Sequence, residues 1–120
     1  MAEHNKLGEL GEKMALDYLV KNGYKIQEKN WRFQKAEIDI IAQKADNLVC
    51  VEVKTRSTSE FGDPQDFIDA KKIKLLVKAM NQYVETNDLD VEVRFDVIAI
   101  IHNKYKTALE HIEDAFLYFD

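Results

Sequence analysis

The chain has little of several residue types that mark particular classes of protein. It contains one cysteine, one proline and four glycines among 120 residues. The single Cys50 excludes an intramolecular disulfide and, with three scattered histidines, excludes a structural zinc site or an iron–sulfur cluster. No apolar run approaches the roughly 18 residues of a membrane span, and the polar N-terminus does not resemble a signal peptide. We therefore expect a cytoplasmic protein without a membrane partner.

Composition and charge describe an ordinary globular domain. Hydrophobic residues make up 46% of the chain and charged residues 32%, which is enough for one core, so residues 1–120 are predicted to form a single domain. The net charge of −5 argues against a protein that coats nucleic acid by bulk electrostatics. Lysines and arginines nevertheless cluster locally, so the charge balance leaves a local basic surface open.

The apolar pattern predicts seven elements in the order α-β-β-β-α-β-β. Helices are predicted at residues 6–22 and 70–85, and strands at residues 24–30, on both sides of a turn at 44–47, at 93–101 and at 105–112. Gly23 follows the first helix as a left-handed cap, and Asp69 precedes the second as its N-cap. The almost entirely apolar strand at 93–101 is typical of a central strand covered on both faces. The fold class is therefore α/β.

The central hairpin carries acids that indicate chemistry. A turn at 44–47 places Asp39 opposite Glu52 and Glu37 opposite Lys54. On the other face, Ile38, Ile40 and Ala42 are predicted to pair with Val53, Val51 and Val49. Because like charges directly opposite each other are destabilising, we expect a cation between Asp39 and Glu52. Mg²⁺ or Mn²⁺ suits two carboxylates, and Lys54 is placed to serve a metal-bound water.

Two alternatives stay open for this hairpin. Its polar side chains are also typical of the solvated face of an antiparallel sheet. The register depends on the length of the turn, and a turn one residue longer or shorter would need a bulge to keep Asp39 and Glu52 on one face.

The first helix carries an acid within its apolar surface. Its apolar positions are Leu10, Met14 and Tyr18 in one row, and Ala15, Leu16 and Leu19 in a second. Glu12 shares the second row at helical spacing, so its carboxylate needs a partner; alternatively, it lies at the edge of the row and benefits from the helix dipole. Gly8 and Gly11 disfavour a helix, which predicts that the helix backbone approaches a neighbouring element closely.

The remaining polar residues have competing interpretations. Asp96 interrupts the apolar strand and needs pairing, for which Arg94 and Arg56 are candidates; otherwise it lies near the metal site. His102 and His111 are predicted to be ordinary polar residues.

The second half of the chain also offers two candidate surfaces for nucleic acid. Lys71, Lys74 and Lys78 are typical of a solvated helix face, with contact to a phosphate backbone as the alternative. The loop at residues 55–67 is longer than usual, which favours substrate contacts.

Taken together, the order of these motifs resembles known families. The matching segments are Gly8-x-x-Gly11-Glu12, Asn30-Trp31-Arg32, Glu37-Ile38-Asp39-Ile40-Ile41-Ala42, Val51-Glu52-Val53-Lys54-Thr55-Arg56, Phe61-Gly62, Arg94-Phe95-Asp96-Val97 and His111-Ile112-Glu113-x-Ala115-Phe116. Glu12, Asp39 and the Glu-x-Lys triplet resemble the signature of PD-(D/E)xK nucleases, which include the archaeal Holliday-junction resolvases. Across almost the entire chain, the combination is similar to the bacterial YraN family. Cys50 and Ala70 depart from that family's usual aromatic residue and proline.

The resemblance implies a restriction-endonuclease-like fold, with a mixed central β-sheet flanked by helices. It implies catalytic roles for Glu12, Asp39, Glu52 and Lys54, and Mg²⁺ or Mn²⁺ held by Asp39, Glu52 and the main-chain carbonyl of Val53. Arg56 and Lys71 become candidate phosphate contacts. The implied activity is metal-dependent hydrolysis of phosphodiester bonds, with nucleic acid as partner and DNA preferred to RNA.

Substrate and assembly follow from the same resemblance. Branched or structured DNA is the implied substrate, and the resolvases imply a homodimer on symmetric junctions. The alternatives are a catalytically silent nucleic-acid-binding module and a protein-interaction module on the same scaffold; the acidic pI near 5.2 supports the latter.

Overall fold

The computed structural model describes residues 2–58 and 69–115, with side chains from residue 6 onward. The elements are α1 (Ala2–Lys21), β1 (Lys25–Phe33), β2 (Ala36–Lys44), β3 (Asn47–Arg56), α2 (Ala70–Thr86), β4 (Glu92–His102) and β5 (Thr107–Ile112). The predicted order is confirmed. Most of the predicted loop at 55–67, and the Phe61-Gly62 and Phe116 parts of the motifs, lie outside the described residues.

One five-stranded mixed sheet runs through the domain. Its strand order is β1-β2-β3-β4-β5, and neighbouring strands are antiparallel except β3 and β4, which are parallel. The parallel pair requires a crossover connection, which contains α2. The predicted mixed α/β fold is therefore confirmed. Among the described residues, no helix is long and apolar enough to cross a membrane.

The two helices cover opposite faces of the sheet, and each face has its own core. Beneath α1 the buried residues are Ala15, Leu19, Tyr24, Ile40, Ala42, Val49, Val51, Ile98 and Ile100. Beneath α2 they are Ala36, Ile38, Ile41, Leu48, Cys50, Ile73, Leu76, Ala79, Met80, Tyr83, Val97 and Ala115. Because β4 contributes to both cores, the prediction of a strand covered on two faces is confirmed.

Helix α1 packs through its predicted apolar positions with one exception: Met14, Leu16 and Tyr18 are partly buried against the core, and only Leu10 is not. Ala15 and Leu19 are fully buried, and the helix, which ends at Lys21, is followed by Gly23, whose φ of 87° is left-handed. The N–H of Tyr24 donates to the carbonyl of Leu19 at 2.9 Å, which completes the predicted cap. Leu10, however, is 39% exposed, so its predicted place in an apolar row is wrong. It lies about 100° around the helix from Gly11, which faces the sheet.

Helix α2 follows the predicted pattern closely. The Asp69 side chain accepts a hydrogen bond of 2.8 Å from the main-chain N–H of Lys72, which confirms the N-cap. Ile73, Leu76 and Met80, which are three and four residues apart in the sequence and so share one side of the helix, are buried against the sheet. The solvated row at Lys71, Lys74 and Lys78 is exposed.

The register of the β2–β3 hairpin is correct near the turn and wrong beyond Ile40. Pairs from Ile40–Val51 to Lys44–Asn47 match the prediction, and the main-chain pairing between these strands then stops. Ile38 packs in the core beneath α2, whereas Val53 packs beneath α1, so these two side chains do not face each other. The physical reason is local: the N–H of Val53 donates to the side chain of Asp39 at 2.9 Å, and this contact replaces regular pairing.

Candidate functional site

A cleft of about 240 Å³ lies between the start of α1 and the end of β3. Its walls are formed by Leu7, Gly8 and Glu12 of α1, Asp39 of β2, and Val53, Lys54, Thr55 and Arg56 of β3. Glu12, Asp39, Val53, Lys54 and Arg56 were all predicted as site residues, although they are far apart along the chain. Their convergence on one cleft makes it the candidate functional site.

The contact between Gly11 and Thr55 sets the position of α1 at this cleft. A Cβ atom added to Gly11 would lie 2.8 Å from Cβ and 2.9 Å from Cγ2 of Thr55, so only glycine fits there. The predicted close approach is confirmed for Gly11. For Gly8 it is wrong, because a Cβ atom at Gly8 would meet nothing within 4 Å. Glu12 follows the contact directly, so the tight packing brings its carboxylate to the cleft.

Glu12 is a partly buried acid. Burial raises the pKa of Glu12, while a hydrogen bond with the Asn30 side chain works in the opposite direction, and the charge of Glu37 adds to the increase. The sequence predicts a partner for this carboxylate but does not identify it; the partner is Asn30 of β1, whose φ of 50° is positive. The acid faces the cleft as well as this amide.

Asp39 is the most perturbed acid of the cleft. Burial and then the nearby charge of Glu52 raise the pKa of Asp39 to about 7, with a smaller contribution from Glu12. The hydrogen bond from the Val53 N–H and the charge of Lys72 work in the opposite direction. A carboxyl group that is buried beside another acid gains from any cation that enters.

Glu52 lies behind the cleft wall, buried to 4% exposure. Its Oε1 atom is 2.6 Å from Nζ of Lys72 and 3.7 Å from Nζ of Lys54. Its Oε2 atom is also buried and has no hydrogen-bond partner among the described residues. A buried carboxylate oxygen without a partner is unfavourable, so this atom is an open ligand position.

Lys72 is the site residue that sequence reasoning missed, because only its neighbour Lys71 was predicted there. Burial works against its charge, but the hydrogen bond and charge of Glu52 raise the pKa of Lys72. A usable signal existed: Lys72 precedes the core residue Leu76 by four positions, so its side chain leaves the helix on the sheet side. Lys71 is exposed, and its predicted phosphate contact stays a prediction.

Lys54 has the opposite electrostatic setting from Lys72. Burial first, and then the charge of Lys72, lower the pKa of Lys54, against the attraction of Glu52. Its side chain is 20% exposed and reaches the cleft wall. An ammonium group with a lowered pKa transfers a proton more readily near neutral pH than an ordinary lysine does. Arg56 lines the same wall, and its guanidinium donates to the carbonyl of Thr55 at 3.1 Å.

A second polar cluster lies beneath α1, around the fully buried Asp96. Nε and Nη2 of Arg94 each donate to this carboxylate at 2.9 Å, which confirms the predicted pairing. Nε2 of His111 lies 2.7 Å from Asp96 Oδ2, and Nδ1 of His111 lies 2.9 Å from the Tyr18 hydroxyl. Burial raises the pKa of Asp96, but hydrogen bonds with His111 and Arg94 outweigh that effect, and the pKa lies below its usual value.

His111 is therefore not the ordinary polar residue that the sequence predicted. Its side chain is only 7% exposed and connects α1 to β4 through Tyr18 and Asp96. The side chain points inward because β5 pairs antiparallel with β4 and places His111 opposite Ile98, a residue of the core beneath α1. His102, by contrast, lies 2.7 Å from the Thr107 hydroxyl in an exposed contact.

Asp96, His111 and Glu113 also form a candidate metal-binding group, because their ligand atoms all lie within 4.8 Å of one another. Arg94 already occupies this group: its Nη2 atom lies 2.9 Å from Asp96 and 3.4 Å from Glu113. The guanidinium supplies the positive charge that a metal would otherwise supply. At the other acid pair, Asp39 and Glu52, the nearby positive charges include Lys72 and Lys54, both on the Oε1 side of Glu52.

Comparisons with known proteins assign the chain to a family. The model of the uncharacterised protein family UPF0102 matches residues 11–100. A UPF0102 protein of Christiangramia forsetii is 61% identical over 119 residues, covering 99% of this chain and 100% of the relative. One from Flavobacterium psychrophilum is 60% identical with the same coverage, and one from Phocaeicola vulgatus is 41% identical over 97% of this chain and 96% of the relative. The chain belongs to the UPF0102 family, which is YraN-like as its motifs predict.

Proposed function

We propose that this protein is a metal-dependent endonuclease that hydrolyses phosphodiester bonds in branched or structured DNA. One observation carries the proposal: Asp39 is buried beside Glu52, so that burial first and then the charge of Glu52 raise the pKa of Asp39 to about 7, while Glu52 Oε2 is buried without a hydrogen-bond partner among the described residues. Two crowded acids and an open oxygen are unfavourable in a protein without a bound cation. They are favourable as ligands.

The donor set fits Mg²⁺ or Mn²⁺. Both ions prefer oxygen ligands, and Asp39, Glu52 and the main-chain carbonyl of Val53 would supply them. When bound, the ion would polarise the scissile phosphate and neutralise part of its charge. Glu12 approaches from α1 and adds a further acceptor for water in the cleft.

The basic residues of the cleft have separate roles in this proposal. Lys54 holds the attacking water and takes part in its deprotonation, for which its lowered pKa is suited. The neutral amine of Lys54 accepts the proton of the water, and the ammonium formed in this way stabilises negative charge as it develops on the phosphate oxygens. Arg56 binds a non-bridging phosphate oxygen from the cleft wall.

The size and charge of the protein favour a local contact with the substrate. The cleft, with a volume of about 240 Å³, has room for one phosphate group and bound water. The net charge of −5 disfavours long-range attraction of nucleic acid, so recognition depends on the basic residues at the cleft. Preference for DNA and for branched substrates rests on the resemblance to resolvases.

Cleavage assays on labelled DNA test the proposal. Four-way junctions, single strands and duplexes would be incubated with Mn²⁺ or with chelator, and an RNA of the same sequence would be compared. We expect cleavage that requires the metal and falls by about a hundredfold or more in Glu52→Gln and in Lys54→Met. Lys21→Met, at the exposed end of α1, is the control and should cleave as the wild type does.

Two results would contradict catalysis. Binding of junction DNA that is insensitive to chelator, with no cleavage in the wild type, would identify a silent binding module instead. Failure to retain any nucleic acid at low salt would contradict both of these functions and favour a protein-interaction module.

A further inference from the structure

Lys72 stands at Glu52 where a divalent ion would also bind. We infer that Lys72 is an intramolecular competitor of the metal: its ammonium neutralises Glu52 in the metal-free protein, and metal binding releases it to contact a phosphate of bound nucleic acid. The inference rests on the proposed function, because it concerns the same acids. It adds a residue that neither the family signature nor the sequence analysis identifies.

The contact between Lys72 and Glu52 is short and selective. Nζ of Lys72 lies 2.6 Å from Oε1 of Glu52, whereas Nζ of Lys54 lies 3.7 Å from the same atom. Lys72 therefore makes a charge-assisted hydrogen bond, and Lys54 contributes only at longer range. Because Glu52 is 4% exposed, its carboxylate needs a nearby positive charge in the absence of metal, and Lys72 is the group that supplies it.

The same carboxylate is only half satisfied. Oε1 accepts from Lys72, while the buried Oε2 has no partner among the described residues. A cation that binds both Asp39 and Glu52 would satisfy Oε2 and reduce the repulsion between the two acids, which one ammonium on Oε1 does not do. Once such a cation is present, the ammonium of Lys72 meets a neutralised carboxylate and a second positive charge. Both effects weaken its bond to Glu52.

Lys72 is also the lysine that can leave. Its side chain is 37% exposed, compared with 20% for Lys54, so a rotation of the flexible stem brings the ammonium into water. Lys72 lies in the first turn of α2, next to the N-cap residue Asp69. A phosphate that enters beside the cleft would then receive this ammonium. Glu52 is not left without a counter-ion, because the metal replaces Lys72 there.

Competition and release together predict positive coupling between metal and nucleic acid. Metal binding releases Lys72, which can then bind a phosphate. A phosphate that holds Lys72 away from Glu52 strengthens metal binding by the same factor. A purely structural Lys72 would behave differently. If its only role were to orient Glu52, its removal would weaken metal binding.

Calorimetric titration with Mn²⁺, without nucleic acid, tests the competition. Wild type would be compared with Lys72→Met, with Lys78→Met as the control for an exposed lysine on the same helix, and with the double variant Glu52→Gln/Lys72→Met. We expect Lys72→Met to bind Mn²⁺ about tenfold more tightly than wild type, because one charge-assisted hydrogen bond no longer competes. Lys78→Met should match wild type, and the double variant should lose the gain.

A second measurement tests the release of Lys72. Fluorescence anisotropy of a labelled four-way DNA junction would be recorded with and without Mn²⁺ in the Lys54→Met background, where cleavage is suppressed. Mn²⁺ should tighten DNA binding by about tenfold when Lys72 is present, and by about twofold or less in Lys72→Met. Lys72→Gln, with thermal unfolding of each variant, separates these effects from misfolding.

The outcomes distinguish the inference from the proposed function. Tighter Mn²⁺ binding by Lys72→Met than by wild type supports both the role of Lys72 and the proposed metal site. This holds even when binding by the wild type is too weak to detect. Equal or weaker binding by Lys72→Met, with clear binding by wild type, overturns the role of Lys72 and leaves the metal site intact. Absence of Mn²⁺ binding at millimolar concentration in all of the proteins overturns both.

Discussion

The main-chain N–H of Val53 donates a hydrogen bond of 2.9 Å to Oδ2 of Asp39. A side chain thereby takes a main-chain donor at the point where regular pairing of β2 and β3 stops after Ile40 and Val51. The bond holds the carboxylate at the cleft and favours its charged form, but burial and Glu52 act more strongly in the other direction. The backbone therefore fixes the position of Asp39 although burial and the charge of Glu52 disfavour its charged form.

Stability should depend on pH through Asp39. Its pKa of about 7 in the folded protein lies above the ordinary value near 4, so the folded protein holds this proton more tightly than the unfolded chain. The resulting stabilisation is fully present below about pH 4 and is lost as pH rises to 7, with a slope of up to about 1.4 kcal/mol per pH unit. Urea unfolding in chelator from pH 4 to 8 measures it. Asp39→Asn should lack this component, and an unchanged pH profile in that variant would contradict the assignment.

Metal should stabilise the fold through the cleft acids and not through the cluster at Asp96. Mn²⁺ at ten times its dissociation constant adds about 1.4 kcal/mol, which corresponds to roughly 5 °C in the midpoint of thermal unfolding. Glu52→Gln should abolish the increase. Glu113→Gln, which removes an exposed ligand of the other candidate group, should keep it. The reverse pattern would assign the ion to Asp96, His111 and Glu113.

Gly11→Ala should destabilise the protein because the new methyl group meets Thr55. With contacts of 2.8 and 2.9 Å to Cβ and Cγ2 of Thr55, α1 must move away from β3, at a loss of about 1–3 kcal/mol of unfolding free energy. Thr55→Ala should recover part of the loss in the double variant. Gly8→Ala is the matched control: its methyl group meets nothing within 4 Å, so helix propensity should stabilise it by up to about 1 kcal/mol. Equal effects of the two substitutions would mean that Gly11 is not a packing position.

Arg94→Met should leave Asp96 as a buried charge without its main counter-ion. Breaking such a pair typically costs about 3–5 kcal/mol. The pKa of Asp96 lies below its usual value, so its stabilisation is present above the ordinary pKa and is lost as pH falls. Urea unfolding at pH 7 should therefore show a large loss for Arg94→Met, and a smaller one for Arg94→Met/Asp96→Asn. Additive losses in the double variant would mean that the two residues are not coupled.

Local patterns were sufficient to predict the elements and much of the hairpin. Helical spacing identifies the buried side of α2, Asp69 marks its start, and the turn at 44–47 fixes the pairs from Ile40–Val51 to Lys44–Asn47. These features depend on neighbours within a few residues, so the sequence contains them directly. The convergence of Glu12 and Asp39 on one cleft also followed from pattern and resemblance.

The errors arise where a contact between distant residues decides the outcome. Ile38 changes face because Asp39 accepts the N–H of Val53, a bond that strand alternation does not anticipate. His111 is buried because Tyr18 and Asp96 meet it from two other elements. Lys71 and Lys72 differ by one position, yet about 100° of helix rotation separates an exposed lysine from the partner of Glu52.

The close contact between Gly11 and Thr55 has a consequence for how this chain tolerates changes in length. Residues added before Gly11 would extend α1 outward and leave Glu12 in place. A single residue inserted within the helix after Gly11 would keep the contact between Gly11 and Thr55. It would also rotate Ala15 and Leu19 by about 100° about the helix axis and shift them by about 1.5 Å along it. The acid could then stay at the cleft only if the helix lost its core. Length variants among natural sequences should accordingly accumulate upstream of this glycine and be rare between Gly11 and Gly23.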